Sequence, residues 1–437
     1  MKKIKLLLFL QMFFTSWFLV AKEFPDQAMV EISNPVSDEY KLVVEGFDWG
    51  PAVNKVILSL DKHVTTANAS DFAVFATRKS SDGEIAGESA SGTRSIVLAY
   101  VSDADGNRAD SSNNVTLVLA VSPVQPIGSP IQYFRGKGNV WIDYKLTIVD
   151  TKSGKTWDTE SGRLMPLVDQ YDLTGKFKYS ENLTMSYASF TPTMVREKAP
   201  LIIWLHGGGE GGTDPTIALL GNKAANYASG EIQQFFDGGA YVLVPQAPTF
   251  WMQSADGMTR GQTNDIYNEG LMALIKEYVK SNPKIDPSRI YVGGCSNGGY
   301  MSLKLILNHP DYFAAGFISA LAYNAEFITD QEIQKIKNVP IWFIHSKDDN
   351  TTKPENTVVP VYNRLMKAGA KNVHFTYYDH VTDITGFYGG EDYRYPGHWS
   401  WIYSHSNLSR LDFDGSLVLV NGRPATIMEW MAAQRKK

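Results

Sequence analysis

Arg289-Ile-Tyr-Val-Gly-Gly-Cys-Ser-Asn-Gly-Gly-Tyr-Met-Ser-Leu-Lys-Leu-Ile-Leu-Asn308 sets a serine, Ser296, between an apolar strand pattern ending at Gly293 and a helical pattern beginning near Gly299. Gly294 and Gly298 let the two backbones approach without Cβ clashes. A Gly-x-Ser-x-Gly turn in that setting thrusts the hydroxyl above the end of a sheet, where a serine nucleophile must stand. Cys295 is the neighbouring nucleophilic side chain, but the apex of the turn belongs to its middle residue, so Cys295 is expected to be a small buried filler. The bland alternative, a Gly-rich turn without chemistry, is weakened by the strand and helix patterns on its two sides.

Working outward, the apolar runs Pro200–Leu205, Ala240–Val244 and Val339–Ile344 alternate with helical patterns at 268–280, 299–308, 330–337 and 361–368. Fully apolar strands separated by helices predict a mostly parallel sheet covered on both faces, and the Gly-x-Ser-x-Gly elbow at the end of one such strand makes the expected fold class an α/β-hydrolase sheet. Residues 124–191 carry strand-like pieces at 140–148 and 184–190 and read as a connection plus the first strands of this domain, placed at 124–437. Ahead of it, short alternating strands at 40–45, 55–60, 71–75, 95–101 and 114–120 predict a small immunoglobulin-like β-sandwich, placed at 22–123. The antibody-type Cys…Trp…Cys pattern is absent, so the likeness is architectural. Asp103-Ala-Asp-Gly-Asn107 does not fit EF-hand spacing and reads as a hairpin turn.

A chain of 437 residues exceeds one ordinary core, which agrees with two domains. Hydrophobic residues at 43% and charged residues at 20% describe a globular protein. The net charge of −5 and the absence of a long Lys/Arg run argue against a nucleic-acid partner. Lys2, Lys3 and Lys5 followed by the apolar stretch 6–21 predict a signal peptide at 1–21, hence a secreted or periplasmic protein without stable membrane insertion after cleavage; an uncleaved anchor is the alternative. Cys295, the single cysteine, leaves no internal disulfide. No His/Cys/Asp cluster has ligand spacing, so neither metal nor cofactor is expected. The sequence does not indicate an oligomeric state.

His206-Gly-Gly-Gly-Glu210 follows the strand at 200–205 directly. Main-chain N–H groups of such a loop can stabilise an oxyanion, which assigns Gly208 and, beside it, Gly207 as loop donors, with the N–H of Asn297 as the donor following the serine. His206 is expected to be a structural partner. The loop lacks the Lys-Ser/Thr ending of a phosphate-binding loop. A serine needs a histidine base and an acid that fixes its tautomer, in the order serine, acid, histidine. The strand at 341–344 runs into Asp348 and Asp349; Asp349 is preferred on its position in the loop. Downstream, His398 ends a Gly-rich loop ahead of a pattern expected to be the last helix, and it is preferred over His380 and His405. His374 lies within a strand pattern, and His63 and His309 read as surface or packing residues.

The elbow at Ser296, the loop at 206–212, Val244-Pro-Gln-Ala-Pro248, the turn His345–Asp349 and Gly397-His-Trp-Ser-Trp401 together resemble bacterial esterases related to polyhydroxybutyrate depolymerases and feruloyl esterases. Within that group the chain is similar to carboxylesterases with an N-terminal immunoglobulin-like domain. The resemblance implies the triad Ser296, Asp349 and His398 and a carboxylic ester substrate, small or polymer-linked. The turn after Asp349, Asn-Thr-Thr-Lys353, departs from the apolar Val-Pro ending frequent in the relatives. Two other functions compete: a prolyl-oligopeptidase-like serine peptidase, for whose large propeller the chain has no room, and a non-catalytic carbohydrate- or surface-binding protein. Tyr300, Trp251, Trp399 and Trp401 lie near the motifs, either to stack on a substrate ring or to pack the core.

Overall fold

Alternating apolar and polar residues make strands that bury one face, and residues 39–164 close two such sheets on each other. The computed structural model describes residues 38–195 and 197–436; the expected signal peptide and the start of the 22–123 domain lie outside the described residues. A five-stranded sheet has the order Thr159–Leu164, Glu39–Phe47, Gly50–Val64, Ser112–Leu119, Ile96–Ser102, and a four-stranded sheet the order Thr156–Trp157, Asp143–Asp150, Phe72–Lys79, Ser91–Arg94. Leu42, Val56, Leu58 and Leu117 from the first meet Val74, Leu146 and Ile148 from the second. Asp103 Oδ1 accepts the backbone N–H groups of Asp105 and Asn107, both at 2.9 Å, which closes the tight turn read there.

The sandwich runs past residue 123. Asp143–Asp150 pairs antiparallel with Phe72–Lys79, and Thr159–Leu164 pairs parallel with Glu39–Phe47. The strand-like piece at 140–148 therefore completes the first domain instead of opening the second. Between Ser112–Leu119 and Asp143–Asp150 the chain makes a separate hairpin, Ile131–Phe134 paired with Gly138–Trp141.

The second domain is built on an eight-stranded sheet in the order Asp172–Ser180, Leu183–Phe190, Tyr241–Gln246, Ala199–Leu205, Ile285–Cys295, Ala315–Ser319, Ile341–Ser346, Val373–Tyr378. Pairing is antiparallel at the first edge and parallel from Tyr241–Gln246 onward. Along Ala199–Leu205, Leu201, Ile203 and Leu205 enter one apolar cluster while Ile202 and Trp204 enter the other, so the strand is buried on both faces. Full burial of each such side chain contributes about 1.5–3 kcal/mol. Helices Asn268–Ser281, Asn297–Asn308, Asp330–Ile336 and Val358–Lys367 occupy the segments whose patterns predict them. The helix following His398, Trp401–His405, is not the last, because the chain continues to Ile427–Ala432.

The cluster that holds Trp204 also holds Tyr40, Leu42 and Trp157 of the sandwich, so one apolar body spans both domains. Polar bonds rim it: Lys223 Nζ meets Asp48 Oδ1 at 3.0 Å, and Tyr388 Oη donates to Val121 O at 3.1 Å. Among the described residues, no helix is long and apolar enough to cross a membrane.

Candidate active site

Ser296 sits at the end of Ile285–Cys295 with φ 54° and ψ −111°, a conformation rare for a residue with a side chain, immediately before the helix Asn297–Asn308. The strain is held by neighbours that cannot give way. A Cβ built on Gly298 would lie 1.9 Å from Leu205 O, so the helix can begin there only over a glycine. Ser296 N–H donates to Ser319 O at 3.0 Å, fixing the turn to the next strand. Among the described residues, the Ser296 hydroxyl makes no hydrogen bond, to the helix or to a histidine, and is half-buried. Cys295 is fully buried, and burial pushes its thiol well above the ordinary range, so it stays neutral and packs.

Next to that turn lies an acid–base pair. His398 Nδ1 donates to Asp349 Oδ2 at 2.8 Å. Thr352 Oγ1 donates to the same oxygen at 2.7 Å and lies 3.3 Å from Ala320 O, one residue after the carbonyl that accepts from Ser296 N–H. The pair and the serine are thus anchored to one turn, Ser319–Ala320. Asp349 Oδ1 accepts Thr351 N–H at 2.8 Å and Thr352 N–H at 2.9 Å. The Asn-Thr-Thr-Lys ending, which departs from the relatives' apolar one, therefore supplies donors to the carboxylate. Burial alone would raise the Asp349 carboxyl, but hydrogen bonds from His345 and His398 outweigh it and hold the group far below the usual carboxylate range.

His345 is the partner that pattern reading missed. Its Nε2–H is shared between Thr352 O at 2.8 Å and Asp349 Oδ2 at 3.0 Å, and the ring is fully buried. Because both neighbours are acceptors, Nε2 must carry the proton. The available signal was a histidine closing an otherwise apolar strand, four residues before the acid.

The other downstream histidines are also paired. His380 Nδ1 meets Asp348 Oδ2 at 2.8 Å, His374 Nδ1 meets Asp412 Oδ2 at 2.7 Å, and His405 Nδ1 meets Tyr227 Oη at 3.0 Å. A carboxylate partner is therefore common to several of these rings, and the Asp349–His398 pair differs in being tied through Thr352 to Ala320, beside the carbonyl that accepts from Ser296. The two carboxylates left open by sequence serve different rings, and Asp348 and His380 are half-exposed whereas Asp349 is buried. His405 packs at 4.5 Å against Trp204, and its burial drives the ring pKa down to about 3.

The glycine loop lies against the serine turn. A Cβ on Gly208 would stand 3.4 Å from Asn297 Nδ2, and among the described residues Gly208 N–H finds no acceptor. Asn297 N–H is the first of its helix, where no carbonyl a turn earlier is available to it within the helix. Gly207 differs: its N–H donates to Asn222 Oδ1 at 3.2 Å and is already engaged. His206 is fully buried, donating from Nδ1 to Gly207 O at 2.7 Å and accepting Ala247 N–H on Nε2 at 3.0 Å. Burial lowers its pKa to about 4, so a neutral ring pins the loop to the neighbouring strand's end.

Tyr300 and Trp251 are fully buried and belong to the core. Trp401 stands edge-on to the His398 ring with centroids 5.5 Å apart, and half-buried Trp399 packs on Tyr395.

Residues 39–162 match the esterase Ig-like N-terminal domain, and residues 257–333 match the prolyl oligopeptidase family. The chain is 27% identical over 135 residues to feruloyl esterase B of Thermothelomyces thermophilus, covering 30% of this chain and 41% of the relative. It is 31% identical over 135 residues to poly(3-hydroxyalkanoate) depolymerase C of Paucimonas lemoignei, covering 28% of each. The chain thus spans less than half the length of either relative. A crystal structure of a thermostable esterase superposes with a TM-score of 0.71 at 21% identity, over 91% of this chain and 99% of that one. The fold is an immunoglobulin-like sandwich followed by an α/β-hydrolase domain, and the matched stretches are similar to those of esterases and of the prolyl oligopeptidase family.

Proposed function

We propose that this α/β-hydrolase with an esterase-type immunoglobulin-like domain is a serine carboxylesterase, with Ser296 as nucleophile, His398 as general base and Asp349 as the acid that orients it. The observation that carries the reading is the Asp349–His398 pair, 2.8 Å apart and anchored to the turn that holds the strained Ser296.

With Nδ1–H committed to Asp349, Nε2 of His398 is left as the basic nitrogen. It takes the Ser296 proton as Oγ bonds to the ester carbonyl carbon. The carbonyl oxygen becomes an oxyanion facing the N–H groups of Gly208 and Asn297, which stabilise developing charge in a buried site. As the tetrahedral intermediate collapses, His398 gives its proton to the departing alkoxide, leaving an acyl-serine and a free alcohol. Water, deprotonated by the same ring, then releases the carboxylic acid and restores Ser296. The hydroxyl–imidazole hydrogen bond that begins this sequence forms with substrate in place, as in other hydrolases whose free-state geometry is loose.

The substrate class is a carboxylic ester, small or carried on a polymer, a reading supported by the names of the two curated relatives. Export to a secreted or periplasmic location belongs to the same proposal, supported by the charged-then-apolar pattern of residues 2–21. The match of residues 257–333 to the prolyl oligopeptidase family favours a second reading, a peptidase using the same serine. Ser296→Ala should abolish hydrolysis of p-nitrophenyl acetate and labelling by a fluorophosphonate while the fold persists. Full activity in that variant would refute the assignment. Turnover of proline-containing peptides with negligible ester hydrolysis would favour the peptidase. Absence of labelling in the wild-type protein would leave a binding function for the chain.

A further inference from the structure

We infer that the sandwich hairpin Ile131–Phe134/Gly138–Trp141 is a clamp that positions the oxyanion loop, with Asn139 acting through Gly209 and Glu210; the inference rests on the esterase reading above. A run of glycines has no side chains with which to fix its own N–H groups, so their aim must be imposed by neighbours. His206 and Gln246 hold the loop from the hydrolase side, the latter donating from Nε2 to Glu210 O at 2.9 Å. The opposite side is held by the first domain.

Asn139 N–H donates to Gly209 O at 2.6 Å, and Asn139 Nδ2 donates to Glu210 Oε1 at 2.7 Å. The approach is close enough to require Gly138, whose φ is +94° and whose Cβ would stand 2.5 Å from Gly209 O. A Cβ on Gly209 would lie 3.4 Å from the Tyr133 ring, and Trp141 Nε1 donates to Thr216 Oγ1 at 2.9 Å, just beyond the loop. The Glu210 carboxyl is buried beneath the loop: a Cβ on Gly207 would lie 2.9 Å from Oε2, which has no hydrogen-bond partner among the described residues. Holding Glu210 in place thus holds the backbone on both sides of Gly208.

The hairpin is itself braced. Arg78, 1% exposed, donates to Ser129 O at 2.8 Å, Ile131 O at 3.3 Å and Gln132 Oε1 at 2.9 Å, and Lys137 pairs with Asp82. A charge buried in the sandwich therefore stiffens the element that reaches the loop. On this reading Asn139 is a positioning residue supplied by a domain that carries none of the triad.

The test uses the full chain with p-nitrophenyl acetate, and Ser296→Ala in parallel. Asn139→Ala keeps the backbone bond to Gly209 and should lower kcat by roughly ten-fold or more with KM within about two-fold, since it displaces an oxyanion donor rather than a substrate contact. Glu210→Ala should fall similarly, and Glu210→Gln, which keeps an acceptor for the Asn139 amide, should recover most of that loss. The double variant Asn139→Ala/Glu210→Ala should be no worse than either single variant, because both break one contact. Wild-type kcat in Asn139→Ala, a loss confined to KM, or additive losses would overturn the clamp. If Asn139→Ala does not fold, Glu210→Ala and its rescue by Gln read the same contact from the other side. An active Ser296→Ala protein would instead overturn the esterase reading; a dead one beside an unaffected Asn139→Ala would overturn the clamp alone.

Discussion

Glu210→Gln should make the protein more stable at alkaline pH than at acid pH relative to wild type. Burial raises the Glu210 carboxyl from 4.5 to about 7, partly offset by the Asn139 amide. Below 4.5 the group is protonated in both folded and unfolded chains, and the stability its neutral form contributes is fully present. Between 4.5 and about 7 the unfolded chain releases the proton while the folded protein keeps it, so stability falls as pH rises; above that range the loss is complete. At 1.36 kcal/mol for each pKa step, the shift corresponds to about 3 kcal/mol. The neighbouring Cys295 thiol, pushed well upward by burial, stays neutral through this range, and His206, lowered to about 4, is neutral across most of it. A glutamine has the same shape and no titration. Urea unfolding of both proteins at intervals from pH 4.5 to pH 8.5 should show the stability difference, variant minus wild type, growing by about 3 kcal/mol. Other groups titrate alike in the two proteins and cancel. A difference that stays flat across the range would refute the claim that a buried, destabilised carboxylate lies under the loop.

The two adjacent acids give a second comparison. Asp349→Asn should lower kcat about 10⁴-fold by presenting the wrong tautomer of His398, whereas Asp348→Asn, which affects His380, should cost less than about ten-fold, both read on p-nitrophenyl acetate. Gly298→Ala places a Cβ 1.9 Å from Leu205 O and should destabilise the protein by more than about 4 kcal/mol or prevent its folding, as measured by soluble yield and thermal midpoint.

The parallel sheet was legible because its evidence is local: Pro200–Leu205 and Val339–Ile344 are apolar without interruption, and the helices between them keep their own period. The elbow was legible because glycines mark the close approach of strand and helix. The end of the sandwich was not. Its closing strand, Thr159–Leu164, pairs with Glu39–Phe47 far upstream, and alternation at 140–148 reveals a strand without naming its partner. The same limit hid His345 and Asn139. His345 stands out in the sequence as a histidine closing an apolar strand, but its contact with Asp349 and Thr352 is decided only in three dimensions. Asn139 lies seventy-one positions from the glutamate it binds, and no spacing rule connects a hairpin of one domain to a glycine loop of another. Position chose between Asp348 and Asp349 in the sequence, while the structure distinguishes them by the ring each one serves.

The apolar cluster shared by Trp204 and the sandwich sets a boundary on how this protein can be rebuilt. A carbohydrate-binding tag on a flexible tether can be cut off or exchanged at will; here, excision would cut through the apolar cluster that runs from Trp204 into the sandwich. Exchange of the front half between homologues should therefore succeed only when the facing helix and strand residues travel with it, and random truncation libraries should yield few soluble fragments that begin between the two halves.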